Sequence, residues 1–171
     1  PGLKIVYPST AYDAKGLIKS AIRDDNPVLF EEHKGLYRAP ALREVLPDED
    51  YVVPLGKART VREGKDLTIV TYGAMVHKSV EAAETLSDEG VSVEVIDLRT
   101  LLPMDEEAII DSVKRTGKLL VVHEDTRTGG IAGEIAMRVS EQAFEWLDGP
   151  MLRVTAIDAP VPYSGSLEDY F

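Results

Sequence analysis

The sequence predicts an α/β fold: a mostly parallel sheet with helices on both faces, preceded by a single β-α-β unit. Three observations lead there. From Leu67 onward, short unbroken apolar runs alternate with segments of helical periodicity, the pattern of strands buried on both faces by crossover helices. Gly73, Gly90 and Gly117 punctuate that alternation at the ends of its segments. Residues 39–66 carry Pro40, Pro47 and Pro54 among scattered charges with little periodicity, so they read as a linker between residues 1–38 and residues 67–171.

Each element has its own warrant. Residues 3–7 form a short strand stopped by Pro8, Ser9 and Thr10, which can cap a helix. Residues 11–23 place Ala14, Leu17, Ile18 and Ala21 on one helical face, and Asp24 to Pro27 ends that helix. Residues 28–30 are a second strand. A lone β-α-β unit with nothing before it to pack on suggests the last unit of a truncated domain. In the linker, one short strand is expected near residues 51–53. Then come a strand at 67–72, a helix at 76–89 with Val80, Ala83 and Leu86 on one side, and a strand at 91–98. A helix at 105–116 and a strand at 119–122 follow. The last pair is a helix at 131–147, with Ile131, Ile135, Val139, Ala143 and Leu147 four apart, and a strand at 152–157. Crossovers between such strands are right-handed.

Composition narrows the function classes. The formal net charge of −11 argues against nucleic acid as a partner, because phosphate backbones call for clustered Lys and Arg. It suits a basic protein surface instead. With no cysteine there is no disulfide, thiolate nucleophile or thiolate metal site. No apolar run approaches the roughly 18 residues a membrane span requires, and the start does not read as a signal peptide, so a cytoplasmic protein is expected. Both ends look cut: the chain begins at Pro1 and ends at Phe171 without tapering.

The stretch KLLVVHEDTRTGGIAGEIA at 118–136 runs an apolar strand into His123, Glu124 and Asp125, then into a Gly pair and a helix start. A general acid or base at the carboxyl edge of a parallel sheet is one reading. A polar loop that meets another subunit is the other, and it weighs more because no Ser, Cys or second His stands at triad spacing. Residues 128–133 open a helix, so their N–H groups could cradle an anion. The spacing fits neither a dinucleotide fingerprint nor a Walker loop, and small residues there also allow tight helix packing. Residues 21–26 sit at a helix C-terminus, where free carbonyls plus Asp24 and Asn26 make a set of oxygen donors for a hard cation, or simply a capped turn. His33 and His77 lack ligand-spaced companions, so zinc is not expected. Asp97 and Arg99 fall on one side of a strand and read as a salt-bridged pair.

Taken together these pieces are familiar. VIDLRTLLP at 95–103, GKLLVVHE at 117–124 and Gly129-Gly130 resemble the C-terminal domain of the transketolase family. PGLKIV at 1–6, AKGL at 14–17, AIRD at 21–24 and LYR at 36–38 resemble the β-subunits of thiamine diphosphate-dependent 2-oxo acid dehydrogenases of the pyruvate and branched-chain type. The resemblance runs in order over essentially the whole chain. It implies that residues 1–38 end a pyrimidine-binding domain, that 39–66 are the linker, and that 67–171 are the C-terminal domain. It implies oxidative decarboxylation of a 2-oxo acid with acyl transfer to a lipoyl group, by an enzyme that uses thiamine diphosphate and Mg²⁺. The catalytic glutamate and most cofactor contacts then lie outside this chain, with the diphosphate and Mg²⁺ held by an α-subunit. Implied partners are that α-subunit, a second β-subunit and the acyltransferase core, in a bacterial-type cytoplasm or an organelle matrix. The same resemblance assigns Ala21, Ile22, Asp24 and Asn26 to a potassium site. It places His123, Glu124, Gly129 and Gly130 at subunit contacts near, not at, the reaction centre. Glu31, Glu32 and His33 depart from the family pattern, and the usual final helix and acidic tail do not follow Phe171. Two rivals stay open: a non-catalytic assembly module, and another transketolase-family enzyme acting on sugar phosphates. The latter calls for a phosphate-binding cluster, whereas Arg99, Arg115, Arg127 and Arg138 look isolated.

Overall fold

The structure, a computed structural model, describes residues 2–168 and 170. It contains two sheets. A three-stranded sheet, ordered β2-β1-β6, is built from β1 (Lys4–Val6), β2 (Val28–Phe30) and β6 (Thr100–Leu102). A five-stranded sheet, ordered β3-β5-β4-β7-β8, joins β3 (Arg59–Arg62), β4 (Leu67–Thr71), β5 (Val93–Asp97), β7 (Leu119–Thr126) and β8 (Leu152–Ala156). β4, β5, β7 and β8 are mutually parallel; only the edge strand β3 is antiparallel.

Strand pleating sends neighbouring residues to opposite faces. Val70, Ile96 and Val121 therefore meet α4 (Glu106–Thr116) and α5 (Ala132–Ala143) through Ile109, Val113, Ile135 and Val139. Ile69, Val93 and Val95 meet α3 (Met75–Asp88) through Ala83 on the other face. α4 is bounded as its sequence demands: Asp105 accepts from the Ala108 N–H at the start, and Gly117 takes a left-handed φ of 68° at the stop. α1 (Ala11–Ile22) packs Leu17 against Val6 and Val53, with Thr10 capping its first turn by accepting from Asp13 N–H.

The structure departs from the sequence expectations in four places. No strand forms at 51–53. That segment lies extended on α1: Val53 is buried, its carbonyl accepts from Ser20 Oγ at 2.5 Å, and Tyr51 stacks on Tyr12 at 4.3 Å. Gly16 makes the approach possible, since a Cβ there would lie 2.9 Å from the Val53 backbone nitrogen. Pressed on a helix, the segment has no ladder partner. The linker's strand is β3 instead, pairing with β5. β6 was also not expected; it leaves the large sheet and pairs antiparallel with β1, Ile5 opposite Leu102. Finally β7 runs four residues further than expected, because Thr126 still pairs with Ala156 of β8. Two short helices, α2 (Lys34–Tyr37) and α6 (Gly165–Glu168), complete the chain.

Candidate functional site at the strand ends

From β4 the chain crosses to β5 on one side of the sheet and later to β7 on the other. The carboxyl ends of β4 and β7 thus flank the point where the strand order reverses, the place where open α/β sheets form a crevice. Tyr72, just past β4, and His123 in β7 stand there. The His123 ring stacks on Tyr72, with centroids 6.2 Å apart and planes 19° from parallel, and Tyr72 leans on Tyr7 at 5.6 Å. Tyr7 follows β1, so the column of rings ties the small sheet to the large one. His123 is 2% exposed, and neither ring nitrogen has a hydrogen-bond partner among the described residues. Gly130 closes the site by backbone alone: a Cβ there would lie 2.6 Å from His123 Cε1. Burial lowers the His123 pKa, with the Asp125 carboxylate and a weak contact to the Asp125 backbone pulling the other way, so the ring is neutral near pH 7. Burial, then Glu124 and Glu31, pushes the Tyr7 phenol up to about 12, and burial raises Tyr72 as well. Both hydroxyls therefore stay protonated near neutral pH.

Because β7 continues through this stretch, its three titratable neighbours diverge. His123 turns inward. Glu124 reaches outward to His33 Nε2 at 3.2 Å, whose Nδ1 accepts from Gly35 N–H. The Asp125 carboxylate accepts from the Thr126 N–H at 2.7 Å and so fastens the turn. Gly129 has a φ of 83° in that turn. No carboxylate lies within hydrogen-bond reach of His123 among the described residues, so the arrangement is not an acid–base dyad. Glu124 and His33 join the large sheet to the loop after β2, which bears on how the two units sit.

A second constellation was only half legible. Arg99 does not pair with Asp97 side chain to side chain. It adopts a left-handed φ of 56°, which ends the strand alternation and turns the chain from β5 into β6. Its guanidinium instead donates to Asp13 Oδ1 at 3.0 Å and to the carbonyls of Lys57 and Ala58 at 2.8 to 3.1 Å. Arg59 also approaches Asp13, at 3.4 Å. Asp97 accepts from Ser9 Oγ at 2.5 Å and from the Arg99 N–H at 3.1 Å. Ser9, Asp13 and Asp97 are all buried. Burial outweighs those hydrogen bonds and raises the Asp97 carboxyl to about 6. The motif at 95–103 pointed to Asp97 and Arg99; their partners Ser9 and Asp13 lie more than eighty residues away in sequence, Lys57 and Ala58 about forty, and none left a local mark.

At the end of α1 the Asp24 N–H donates to the Ala21 carbonyl at 3.3 Å. Asp24 Oδ1 accepts from the Asn26 backbone N–H and side-chain amide at 2.9 and 3.1 Å, while Oδ2 holds the Lys4 ammonium. These contacts, Lys4 first, bring the Asp24 carboxyl down to about 2. The residues expected to bind a cation are therefore together on one turn, around an ionised carboxylate whose outer oxygen a lysine already occupies. Arg99, Arg115 and Arg138 each face an internal acid (Asp13, Glu94, and Glu106 with Glu134), so none is a free phosphate ligand. No group of three or more His, Asp or Glu placed to hold a metal ion occurs among the described residues, and no described helix is long and apolar enough to cross a membrane.

Comparison with known proteins places this architecture. Residues 56–171 match the transketolase C-terminal domain, and residues 1–40 match the transketolase pyrimidine-binding domain. The 2-oxoisovalerate dehydrogenase subunit beta of Bacillus subtilis is 51% identical over 100% of this chain and 52% of its own length. The pyruvate dehydrogenase E1 component subunit beta of the same organism is 51% identical over 96% of this chain and 50% of its own. A solved split-gene transketolase, an inactive β4 tetramer, superposes with a TM-score of 0.77 at 29% identity, covering 99% of this chain and 53% of that one. The chain spans about half the length of these relatives. With more than half of its residues matched by one family, the chain belongs to the transketolase C-terminal domain family, with residues 1–40 matching the transketolase pyrimidine-binding domain.

Proposed function

We propose that this chain is part of the β-subunit of the decarboxylating first component of a 2-oxo acid dehydrogenase complex. The observation that carries the reading is identity of about half, spread over the entire chain, with β-subunits of two such enzymes. The intact enzyme uses thiamine diphosphate to decarboxylate a 2-oxo acid and passes the acyl group to a lipoyl arm. The residues present here do not fit the Mg²⁺ that accompanies the diphosphate, since no acid or histidine cluster for a metal occurs among those described. The reading gives that task to an α-subunit.

What this chain does on this reading is hold geometry. The Arg99–Asp13 pair, Ser9–Asp97 and Glu124–His33 fix the pyrimidine-side unit against the C-terminal domain. His123, Glu124, Gly129 and Gly130 stand at the edge where subunits meet, Glu124 facing outward and His123 packing beneath. Ala21, Ile22, Asp24 and Asn26 hold a potassium ion that competes with Lys4 for Asp24. A second β-subunit and the acyltransferase core, docked on acidic surface, complete the assembly in a bacterial-type cytoplasm or an organelle matrix. The domain limits are 1–38, 39–66 and 67–171.

Co-expression of the native-length protein with the α-subunit of the same source, followed by size-exclusion chromatography with light scattering, tests the assembly. A stable complex of equal subunit numbers is expected. A self-assembled oligomer that ignores the α-subunit favours the assembly-module reading, which the inactive β4 tetramer of the split-gene transketolase also suggests.

A further inference from the structure

We propose that the outer edge of β8 is the seat of a second copy of this chain, paired antiparallel about a two-fold axis at Val154. A second β-subunit belongs to the function proposed above, and the inference rests on that reading for its partner; the surface is argued from the strand itself. β8 ends the five-stranded sheet and pairs with β7 on one side only. Among the described residues no backbone hydrogen bond reaches it from the other side. An edge strand with unpaired N–H and C=O groups is a template for another strand. Leu152 and Val154 lie opposite Leu120 and Val122 of β7 and so share their face, where Leu120 and Val122 pack into the core beneath α3. There the apolar row runs on into the open: Leu152 is 61% and Val154 57% exposed.

The two edges of this sheet differ in how they resist a further strand. β3 carries Arg59 and Arg62, and its register with β5 shifts between Thr60 and Arg62. Self-pairing of β3 would set Arg59 against Arg62 of a second copy, like charge on like. β8 has no such guard. Its register with β7 is unbroken from Leu152 to Val154, and the shift beyond is taken up by β7, whose residues 122–126 run beside 154–156. Its single charged residue, Arg153, donates to the Arg127 carbonyl at 2.9 Å. Antiparallel pairing about Val154 sets Val154 against its own copy, Leu152 against Ala156 and Arg153 against Thr155. Apolar then meets apolar, and no like charges face each other. A two-fold contact demands such a self-complementary patch. With a formal charge of −11 on each copy, long-range repulsion opposes the contact and salt relieves it. The pairing therefore tightens as ionic strength rises, the opposite of docking by a basic partner.

The test is disulfide cross-linking in the native-length protein, alone and bound to the α-subunit. Residues 1–171 contain no cysteine, and any elsewhere in the protein is replaced by serine. Val154→Cys sets two thiols opposite each other at the axis, with Cα atoms about 4.5–5.5 Å apart, within disulfide range. Mild oxidation is expected to convert most of this variant to a covalent dimer. Leu152→Cys is as exposed, but its two copies lie about 14 Å apart along the strands. It is expected to cross-link at least about tenfold more slowly. Val154→Lys places like charges on the axis. It is expected to keep the melting temperature of the dilute protein and to weaken self-association, read by sedimentation equilibrium, at least about tenfold. Failure of Val154→Cys to cross-link, equal rates for the two cysteine variants, or self-association that weakens as salt rises overturns the proposal. Cross-linking lost on binding of the α-subunit also overturns it and gives the edge to that subunit. An α-subunit that does not bind, with cross-linking intact, removes the β-subunit reading and leaves the strand pairing standing.

Discussion

Arg99→Ala is expected to cost about 3 kcal/mol of unfolding free energy. The side chain is 11% exposed and makes four hydrogen bonds, one of them to the fully buried carboxylate of Asp13. Removing one member of a buried ion pair costs about 3–5 kcal/mol, mainly because the remaining charge is left desolvated. The low end applies here, because Arg59 at 3.4 Å and the Thr10 hydroxyl at 2.9 Å still face Asp13. The left-handed backbone at Arg99 supplies an internal control. Arg99→Gly relieves the Cβ crowding of a φ of 56° and is expected to lose about 1 kcal/mol less than Arg99→Ala. A double-mutant cycle with Asp13→Ala is expected to show coupling of about 2 kcal/mol. Urea denaturation followed by circular dichroism reads the wild type and all four variants. A cost for Arg99→Ala below about 1 kcal/mol, or additivity with Asp13→Ala, would refute the claim that this pair pins the two units together.

The remaining expectations are simpler. Asp97 has a folded pKa raised to about 6, above its unfolded value of about 3.9, so the stability it contributes is present below about pH 4 and lost as pH rises through 6. The loss amounts to about 3 kcal/mol as an upper figure. Urea titrations across that window should show it in the wild type and not in Asp97→Asn; parallel pH profiles would contradict the assignment. Gly64→Ala places a methyl group on the backbone of Val93 and Glu94, which cannot yield, and should cost at least about 3 kcal/mol; near-native urea stability would count against the packing described. Lys4→Met frees one Asp24 oxygen and is expected to enlarge the extra thermal stability given by potassium over sodium at equal ionic strength. Asp24→Ala is expected to abolish that difference, and thermal melts that do not distinguish the two salts would remove the potassium assignment.

How much of this was legible in the sequence depended on range. β4, β5, α4 and the core of α5 follow from local periodicity and glycine stops, and their bounds fell within two or three residues. β3 and β6 were not readable, because each owes its existence to a partner strand distant in sequence: β5 for Arg59–Arg62 and β1 for Thr100–Leu102. Val52 and Val53 carry strand-like residues, yet a helix rather than a sheet lies beneath them. At the site, the strand end at His123 and the Gly pair were visible as motifs. Their geometry was not, since the pleat alone decides that His123 turns in while Glu124 turns out. The Asp13–Arg99 pair joins positions 86 residues apart and could only be found in three dimensions.

The most direct test of the functional reading is thiamine diphosphate-dependent release of CO₂ by the native-length protein reconstituted with its α-subunit. Pyruvate and 2-oxoisovalerate are offered as competing substrates, matching the two relatives of equal identity. The account expects cofactor-dependent decarboxylation of at least one of these 2-oxo acids by the mixture, and none by either subunit alone. Stable assembly with the α-subunit but no decarboxylation of either acid, with thiamine diphosphate and Mg²⁺ present, would contradict it.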